Sequence, residues 1–401
     1  MNPNLQNLQS YPFEKLKSLT ANLTPNTSLN SISFAIGEPK HPTPYIIKEA
    51  LAENLLKLAN YPTTKGSDEL REVCANWLRK RFTLNDNLSG SDNLLPVNGT
   101  REALFALVQC VIDPIQNPVV LIPNPFYQIY EGAALLAGAE PIYYDCSIQN
   151  EDIPALWEIS EDVWKRCQLI YICTPGNPTG EVAPHKTLQK LIERSLKYDF
   201  VIASDECYSE IYNPNSNPPM GLLHCAQKLG NDNFNNCMAF YSLSKRSNSP
   251  GLRSGFVAGE KNLIEQFFQY RTYHGCAMSL PTQAASIAAW SDEEHVETNR
   301  QLYEHKFQSV IEILNPVLPC KKPDAGFYLW PEIPKTSQLD EIEFCKLLYT
   351  KKNVLCLPGS YLAREVDGYN PGQNRVRLAL VAQHEECVEA AQRIKALLEE
   401  L

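Results

Sequence analysis

A chain of 401 residues with 44% hydrophobic content can bury a large core, and ordinary domain sizes suggest one large domain with a smaller companion. The net charge of −10, with acids spread along the chain, excludes the basic stripe of a nucleic-acid binder and favours small molecules and further copies of the chain as partners. Thirteen cysteines form an odd set without a CxxC pair, so reduced thiols are expected rather than a disulfide framework or zinc site.

The opening MNPNLQNLQS lacks the basic-then-apolar order of a secretory signal, and no apolar run approaches membrane-spanning length. A cytoplasmic protein without membrane contact is expected. Residues 1–44 are rich in Asn, Pro and Ser without a sustained period, the texture of an arm that packs on something else. IIKEALAENLLKLAN and SDELREVCANWLRKRF then read as helices joined by the loop YPTTKG. In the second, Ser67 and Asp68 can cap, and Leu70, Val73, Trp77 and Leu78 supply an apolar face.

Seven short apolar runs follow, LLPV, VVLIP, PIYY, LIYIC, FVIAS, MAFYS and GFVAG, several separated by helical segments such as REALFALVQCVI and HKTLQKLIERSLKY. Strands buried on both faces and joined through helices imply a mainly parallel α/β sheet, which collects ligands beyond the carboxyl ends of its strands. A large domain over 45–289 is expected. Beyond it, EEHVETNRQLYEHKFQSVIEILN and LDEIEFCKLLYTKKN read as helices, and AGFYLWPE and RVRLALV as strands, of a smaller α+β domain over 290–401.

The chemistry lies where the strand-like runs end. LLPV runs into Gly99, Thr100 and Arg101 at the start of a helix, whose free N–H groups can hold a phosphate. VVLIP leads to Tyr127, LIYIC to Asn177, FVIAS to Asp205 and Tyr208, and MAFYS to Ser242, Ser244 and Lys245, with Arg253 eight residues further on. Taken singly, Lys245 reads as a loop lysine, Asp205 as a cap, Asn177 as a turn residue, Tyr127 as core and Arg377 as an edge charge. Together and in this order they fit pyridoxal 5′-phosphate, whose aldehyde needs a lysine, whose ring nitrogen needs a carboxylate, and whose phosphate needs amides, hydroxyls and an arginine. The seven histidines form no pair at metal spacing, so no metal is expected; His41, His274 and His384 read as surface or structural, and the cysteines, Cys207 included, as packing residues.

The set TPGNPTG, DECY, SLSK with Arg253, and RVRLAL resembles the fold-type-I, class I/II aminotransferases from about Gly37 to the C-terminus. The resemblance implies that Lys245 is the Schiff-base lysine and proton carrier, that Asp205 pairs with the pyridinium nitrogen, and that Asn177 and Tyr208 meet the ring O3′ under a stacked Tyr127. It implies a phosphate site from Gly99, Thr100, Arg101, Ser242, Ser244 and Arg253, completed by Tyr61 of a neighbouring subunit in a homodimer with shared active sites. Gly37 and Arg377, with Asn177, would meet the substrate, Arg377 through its α-carboxylate. Arg101 departs from the small residue or lysine of many relatives.

LQNLQSYPFEKLKSLTANL, SFAIGEPKHPTP and QYRTYHGCAMSLPTQ are similar to succinyldiaminopimelate aminotransferases of bacterial lysine biosynthesis. That similarity implies conversion of N-succinyl-2-amino-6-oxopimelate and glutamate into N-succinyl-LL-diaminopimelate and 2-oxoglutarate. Aspartate, aromatic, acetylornithine-like and LL-diaminopimelate aminotransferases or a C–S lyase remain alternatives, as does a non-enzymatic ligand sensor. Such a substrate carries carboxylates far from the reacting carbon; Arg271, Lys40 and His41 are the cations considered for them.

Overall fold

In the computed structural model, which describes residues 1–275 and 277–401, all seven apolar runs are strands of a single sheet. Cys276, one of the cysteines expected reduced and part of QYRTYHGCAMSLPTQ, lies outside the described residues. The strands are β1 Leu94–Val97, β2 Val119–Asn124, β3 Glu140–Asp145, β4 Cys167–Cys173, β5 Val201–Asp205, β6 Cys237–Ser242 and β7 Gly255–Gly259. Their order is β1-β7-β6-β5-β4-β2-β3; β7 runs antiparallel to both neighbours and every other pair is parallel.

Strands β2, β5, β6 and β7 are buried along their whole length, which explains their unbroken apolar sequence, whereas the edge strand β3 is half-exposed. One face packs Trp77, Trp164, Tyr241, Phe256 and Trp290, and the other packs Leu104, Tyr130, Tyr171 and Phe267. The helix Asp68–Phe82 starts as its sequence requires, with Ser67 Oγ accepting from the Leu70 amide at 3.2 Å. Leu70, Trp77 and Leu78 are buried and Val73 is half-buried.

The run over residues 45–59 is not one helix. It breaks after Tyr45–Glu53 into a 3-10 turn, Leu55–Ala59, whose Leu55, Leu56 and Leu58 are exposed. Left this exposed, the three leucines gain too little burial to sustain an amphipathic helix.

The arm is more regular than its composition suggests. Pro12 opens a helix, Pro12–Thr20, whose Leu16 packs on Ala35, Leu357 and Leu362. Ile32–Ser33 then pairs in parallel with Val354–Leu355, and Phe34 bonds both Leu355 and Ala379 through its backbone. The C-terminal part centres on an antiparallel sheet in which Val376–Ala379 lies between Leu357–Pro358 and Tyr328–Leu329. The helices Glu294–Leu314, Glu341–Lys352 and His384–Glu399 share an apolar core with it. The arm therefore brings residues 11–13 and 35–37 to the carboxyl edge of the large sheet.

Candidate active site

At that edge lies a cavity of about 430 Å³. Its floor is made where β1 meets the helix Thr100–Val111. Gly99, between them, has φ 86, and a Cβ there would lie 2.2 Å from Arg253 Nη2. Only glycine accepts both that backbone and that close approach. Arg253 donates from Nη1 to the Pro250 carbonyl at 2.7 Å, so its guanidinium is fixed beside a helix N-terminus. Ser242 and Ser244 line the same corner, with the Ser244 amide donating to Ser242 Oγ at 3.1 Å. Amides at a helix start, two hydroxyls and a guanidinium make an anion site.

Asp205, the last residue of β5, is buried. It accepts from the Tyr130 hydroxyl at 2.7 Å and from the Cys207 amide at 3.3 Å. Burial nevertheless holds its carboxyl above the ordinary range, because those donors and the charge of Lys245 compensate only part of the desolvation. A cationic N–H group placed in the cavity would be drawn to it.

Lys245 follows β6 on the short helix Leu243–Arg246. Its Nζ donates to the Gly37 carbonyl at 2.5 Å and lies 5.4 Å and 5.9 Å from the ring centroids of Phe327 and Tyr208. Burial pushes the ammonium down to about 8, and the charges of Arg377 and Arg253 act in the same direction. At pH 7 roughly a tenth of the amine is then neutral, against about one part in several thousand for a free lysine.

Arg377, on Val376–Ala379, is 3% exposed and so is no edge charge. Its Nη1 donates to Asn177 Oδ1 at 2.9 Å and its Nη2 to the Ala35 carbonyl at 2.6 Å, while Tyr328 lies under the guanidinium at 4.5 Å. The Tyr328 hydroxyl also meets the Tyr208 hydroxyl at 2.9 Å. It stands so close to Gly37 that a Cβ at that position would lie 2.0 Å from it. Tyr127 forms a side wall, its ring edge-on to Tyr130 at 5.7 Å, and Tyr11 lines the same cavity.

A sequence model of the family described as "Aminotransferase class I and II" matches residues 30–394. The chain belongs to that family. An LL-diaminopimelate aminotransferase of Halothermothrix orenii is 30% identical over 398 residues, covering 98% of this chain and 97% of that one. Its counterpart from Aquifex aeolicus is 31% identical over 370 residues and covers 91% of each chain. The crystal structure of an aminotransferase from Neisseria meningitidis superposes with a TM-score of 0.94 at 47% identity, covering 99% of this chain and 100% of that one. For the aminotransferase AspB of Helicobacter pylori the values are 0.87, 33%, 98% and 100%.

Class I and II aminotransferases depend on pyridoxal 5′-phosphate, and this cavity fits that cofactor. The anion site can take its phosphate, Asp205 has an unmet demand for a cation that a protonated ring nitrogen would satisfy, and Lys245 supplies a partly neutral amine in the same cavity. The fold is the α/β fold of type I expected from the sequence.

The aminotransferase brings together nearly every residue singled out from its sequence. Gly37, Thr100, Arg101, Tyr127, Asn177, Asp205, Tyr208, Ser242, Ser244, Lys245, Arg253 and Arg377 line the cavity, and Gly99 lies directly behind Arg253. Tyr61 does not; it is fully exposed.

Of the outer cations considered for distal carboxylates, none lines the cavity. Arg271 is fully buried, with both oxygens of Glu102 accepting from it at 2.8 and 2.7 Å. His41 is buried against Asn299 at 2.9 Å, and Lys40 reaches Glu38 at 3.6 Å. Sequence reasoning also passed over Tyr130, Tyr11 and Tyr328. Tyr130 carried one signal: it lies one helical spacing beyond Tyr127. Cys207 does more than pack, since it lines the cavity with its Sγ 3.0 Å from Thr100 Oγ1.

Proposed function

We propose that this aminotransferase interconverts N-succinyl-LL-diaminopimelate and 2-oxoglutarate with N-succinyl-2-amino-6-oxopimelate and glutamate. The charge of the cavity carries the reading. Lys245, Arg253, Arg377 and Arg101 line it, and among the described residues Asp205 is the only carboxylate that does. A substrate whose far ends are all anionic suits such a lining. LL-diaminopimelate brings a distal ammonium, which would find no free acid there to pair with.

When bound, pyridoxal phosphate supplies an electron-withdrawing ring that acidifies the substrate Cα–H bond. The work of the chain follows from its geometry. Arg377 takes the α-carboxylate on a planar fork already oriented by Asn177 and Ala35. Lys245, with a pKa of about 8, is matched to accepting and returning a proton near neutral pH. Asp205 would keep the ring nitrogen of the bound cofactor protonated, the Tyr208 hydroxyl is positioned by Tyr328, and Tyr127 with the Tyr11–Phe13 stretch would exclude water.

The second reading, LL-diaminopimelate aminotransferase, draws on the names of the Halothermothrix and Aquifex relatives. Transamination of 2-oxoglutarate by each donor separates the two. The proposed reading expects kcat/KM at least about tenfold higher for the succinylated donor, the scale of a charge mismatch in a pocket. A preference for free LL-diaminopimelate would reverse the assignment.

The same reading makes the protein a cytoplasmic homodimer. Leu55, Leu56 and Leu58 are an exposed apolar patch next to Tyr61, which cannot reach the cavity of its own chain. We infer that Tyr61 completes the anion site of a neighbouring subunit. Mixing Tyr61→Phe with Lys245→Ala protomers should restore activity through hybrid dimers that hold one intact site; no restoration would refute the sharing.

A further inference from the structure

We infer that Asn299 and His41 together position Lys245, one holding the lysine's backbone and the other the arm that meets its ammonium. The inference rests on the reading of Lys245 as the residue that carries the cofactor. Asn299 is buried in the second turn of the helix Glu294–Leu314, and its side-chain amide is used on both atoms. Nδ2 donates to the Lys245 and Arg246 carbonyls at 3.4 Å and 3.5 Å. Oδ1 accepts from Asn248 Nδ2 at 3.1 Å and from His41 Nδ1 at 2.9 Å.

Lys245 is thereby held at both ends by groups that meet at Asn299. Its Nζ donates to the Gly37 carbonyl, and His41, four residues further along the arm, is bonded to Asn299. Thr43 adds a second tie, its hydroxyl donating to the Asn248 carbonyl at 2.8 Å. Burial and the charge of Lys306 hold the His41 imidazole below its ordinary value, so it is neutral at pH 7. Its hydrogen sits on Nδ1, because Asn299 Oδ1 can only accept. Tyr303, one turn beyond Asn299 on the same helix face, continues the contact. Its ring lies 4.7 Å from that of His41 and stacks at 5.5 Å on Phe327, the ring beside the Lys245 ammonium.

An amide suits this place because it must both donate and accept. Leu has a comparable shape but does neither, and Asp would set a carboxylate against two carbonyl oxygens in a buried position. Other contacts anchor the residues that follow the lysine. Arg246 donates to the Ala289 carbonyl at 2.7 Å and to Glu293 at 2.6 Å, and His295 Nε2 meets Ser247 Oγ at 2.8 Å. With these in place, loss of the Asn299 amide should free the Lys245 carbonyl and the arm without unfolding the segment. Further along the same helix, Phe307 and Val310 share a core with Val376 and Leu378, which flank Arg377. One helix therefore relates the lysine to the guanidinium that this reading assigns to the α-carboxylate.

The test compares wild type with Asn299→Leu, His41→Leu and His41→Gln, the last of which keeps an N–H for Asn299. Two readouts are taken that lost stability alone would not move. One is the pH midpoint of pyridoxal phosphate uptake by the cofactor-free protein, and the other is the split between kcat and KM for glutamate after loading. The groups that act on the charge of Lys245, namely Cys207, Arg377, Glu38 and Arg253, are the same in every variant, so a moved midpoint reports the setting of the lysine. Asn299→Leu should raise the midpoint from about 8 towards the ordinary 10.5 as the ammonium gains water. It should lower kcat about tenfold or more with KM within about twofold, as expected of a misplaced reacting group. His41→Leu should move both readouts in the same direction, and His41→Gln should restore most of the loss. The double variant Asn299→Leu/His41→Leu should fall no more than about twofold below Asn299→Leu, since the two residues act as one. Wild-type midpoint and kcat in Asn299→Leu would overturn the inference. Should Asn299→Leu not fold, the His41 pair decides, and equal values for His41→Leu and His41→Gln would overturn it as well. If Lys245→Ala kept the wild-type absorbance and its response to glutamate, the reading of Lys245 would fail instead, an outcome distinct from indifference to Asn299.

Discussion

Replacing Tyr130 by Phe isolates the electrostatics beneath the cofactor position. Tyr130 is fully buried and its ring stacks on Tyr171 at 4.2 Å and 18°, so Phe keeps the packing and removes only the hydroxyl. That hydroxyl donates to Asp205 at 2.7 Å, whereas the backbone amide of Cys207 is more distant at 3.3 Å. A hydrogen bond to a charged acceptor contributes about 1.5–3 kcal/mol. Its loss should raise an already elevated carboxyl pKa further. Asp205 would then be less fully ionised and would hold a protonated ring nitrogen less firmly. Affinity for pyridoxal phosphate should fall roughly ten- to a hundredfold, kcat should fall with it, and Tm should change little. Titration of the cofactor-free protein by absorbance, with kcat measured from pH 6 to 9, gives both quantities. Affinity within twofold of wild type, accompanied by a large fall in Tm, would show that Tyr130 acts only through packing.

Arg377→Lys keeps a charge but loses the planar fork, so KM should rise about tenfold or more for every amino-acid substrate alike; a rise confined to one substrate would mean that Arg377 does not hold the α-carboxylate. Gly99→Ala forces a Cβ into a left-handed backbone position and against Arg253, and should weaken phosphate retention, read as faster loss of cofactor on gel filtration; wild-type retention would contradict the close packing. Because burial lowers Lys245 to about 8, the rate of cofactor uptake should rise with pH to a midpoint near 8 and then level, whereas a rate still climbing at pH 10 would refute the shift. The sign for stability follows from the same group. Between about 8 and its ordinary 10.5 the unfolded chain binds the extra proton, so the cofactor-free fold should gain stability as pH rises through that window, and Lys245→Met should lose the gain in urea titrations.

The large sheet was legible because its strands are buried on both faces, and seven apolar runs bounded by turn residues have few other readings. The helix Pro12–Thr20 was not, since only Pro12 and Leu16 of its nine residues are buried and the periodic signal is correspondingly thin. The site was legible to the extent that its residues follow strand ends, as Asp205 follows β5 and Lys245 follows β6. Partners brought in through space were invisible: Tyr130 meets Asp205 across 75 residues, and Arg377 meets Ala35 across 342. Charge in a sequence also says nothing of burial. Arg271, open in sequence to a place beside substrate or on the surface alike, is instead enclosed with Glu102.

The central claim is that Lys245 carries the cofactor which glutamate discharges, and the visible spectrum tests it most directly. Wild-type protein loaded with pyridoxal phosphate should show the absorbance band of the lysine-bound cofactor and lose it on addition of glutamate. Lys245→Ala should keep its fold by circular dichroism, lack that band and fail to respond. A Lys245→Ala protein with the wild-type band and the same response to glutamate would place the chemistry on another residue and contradict the account.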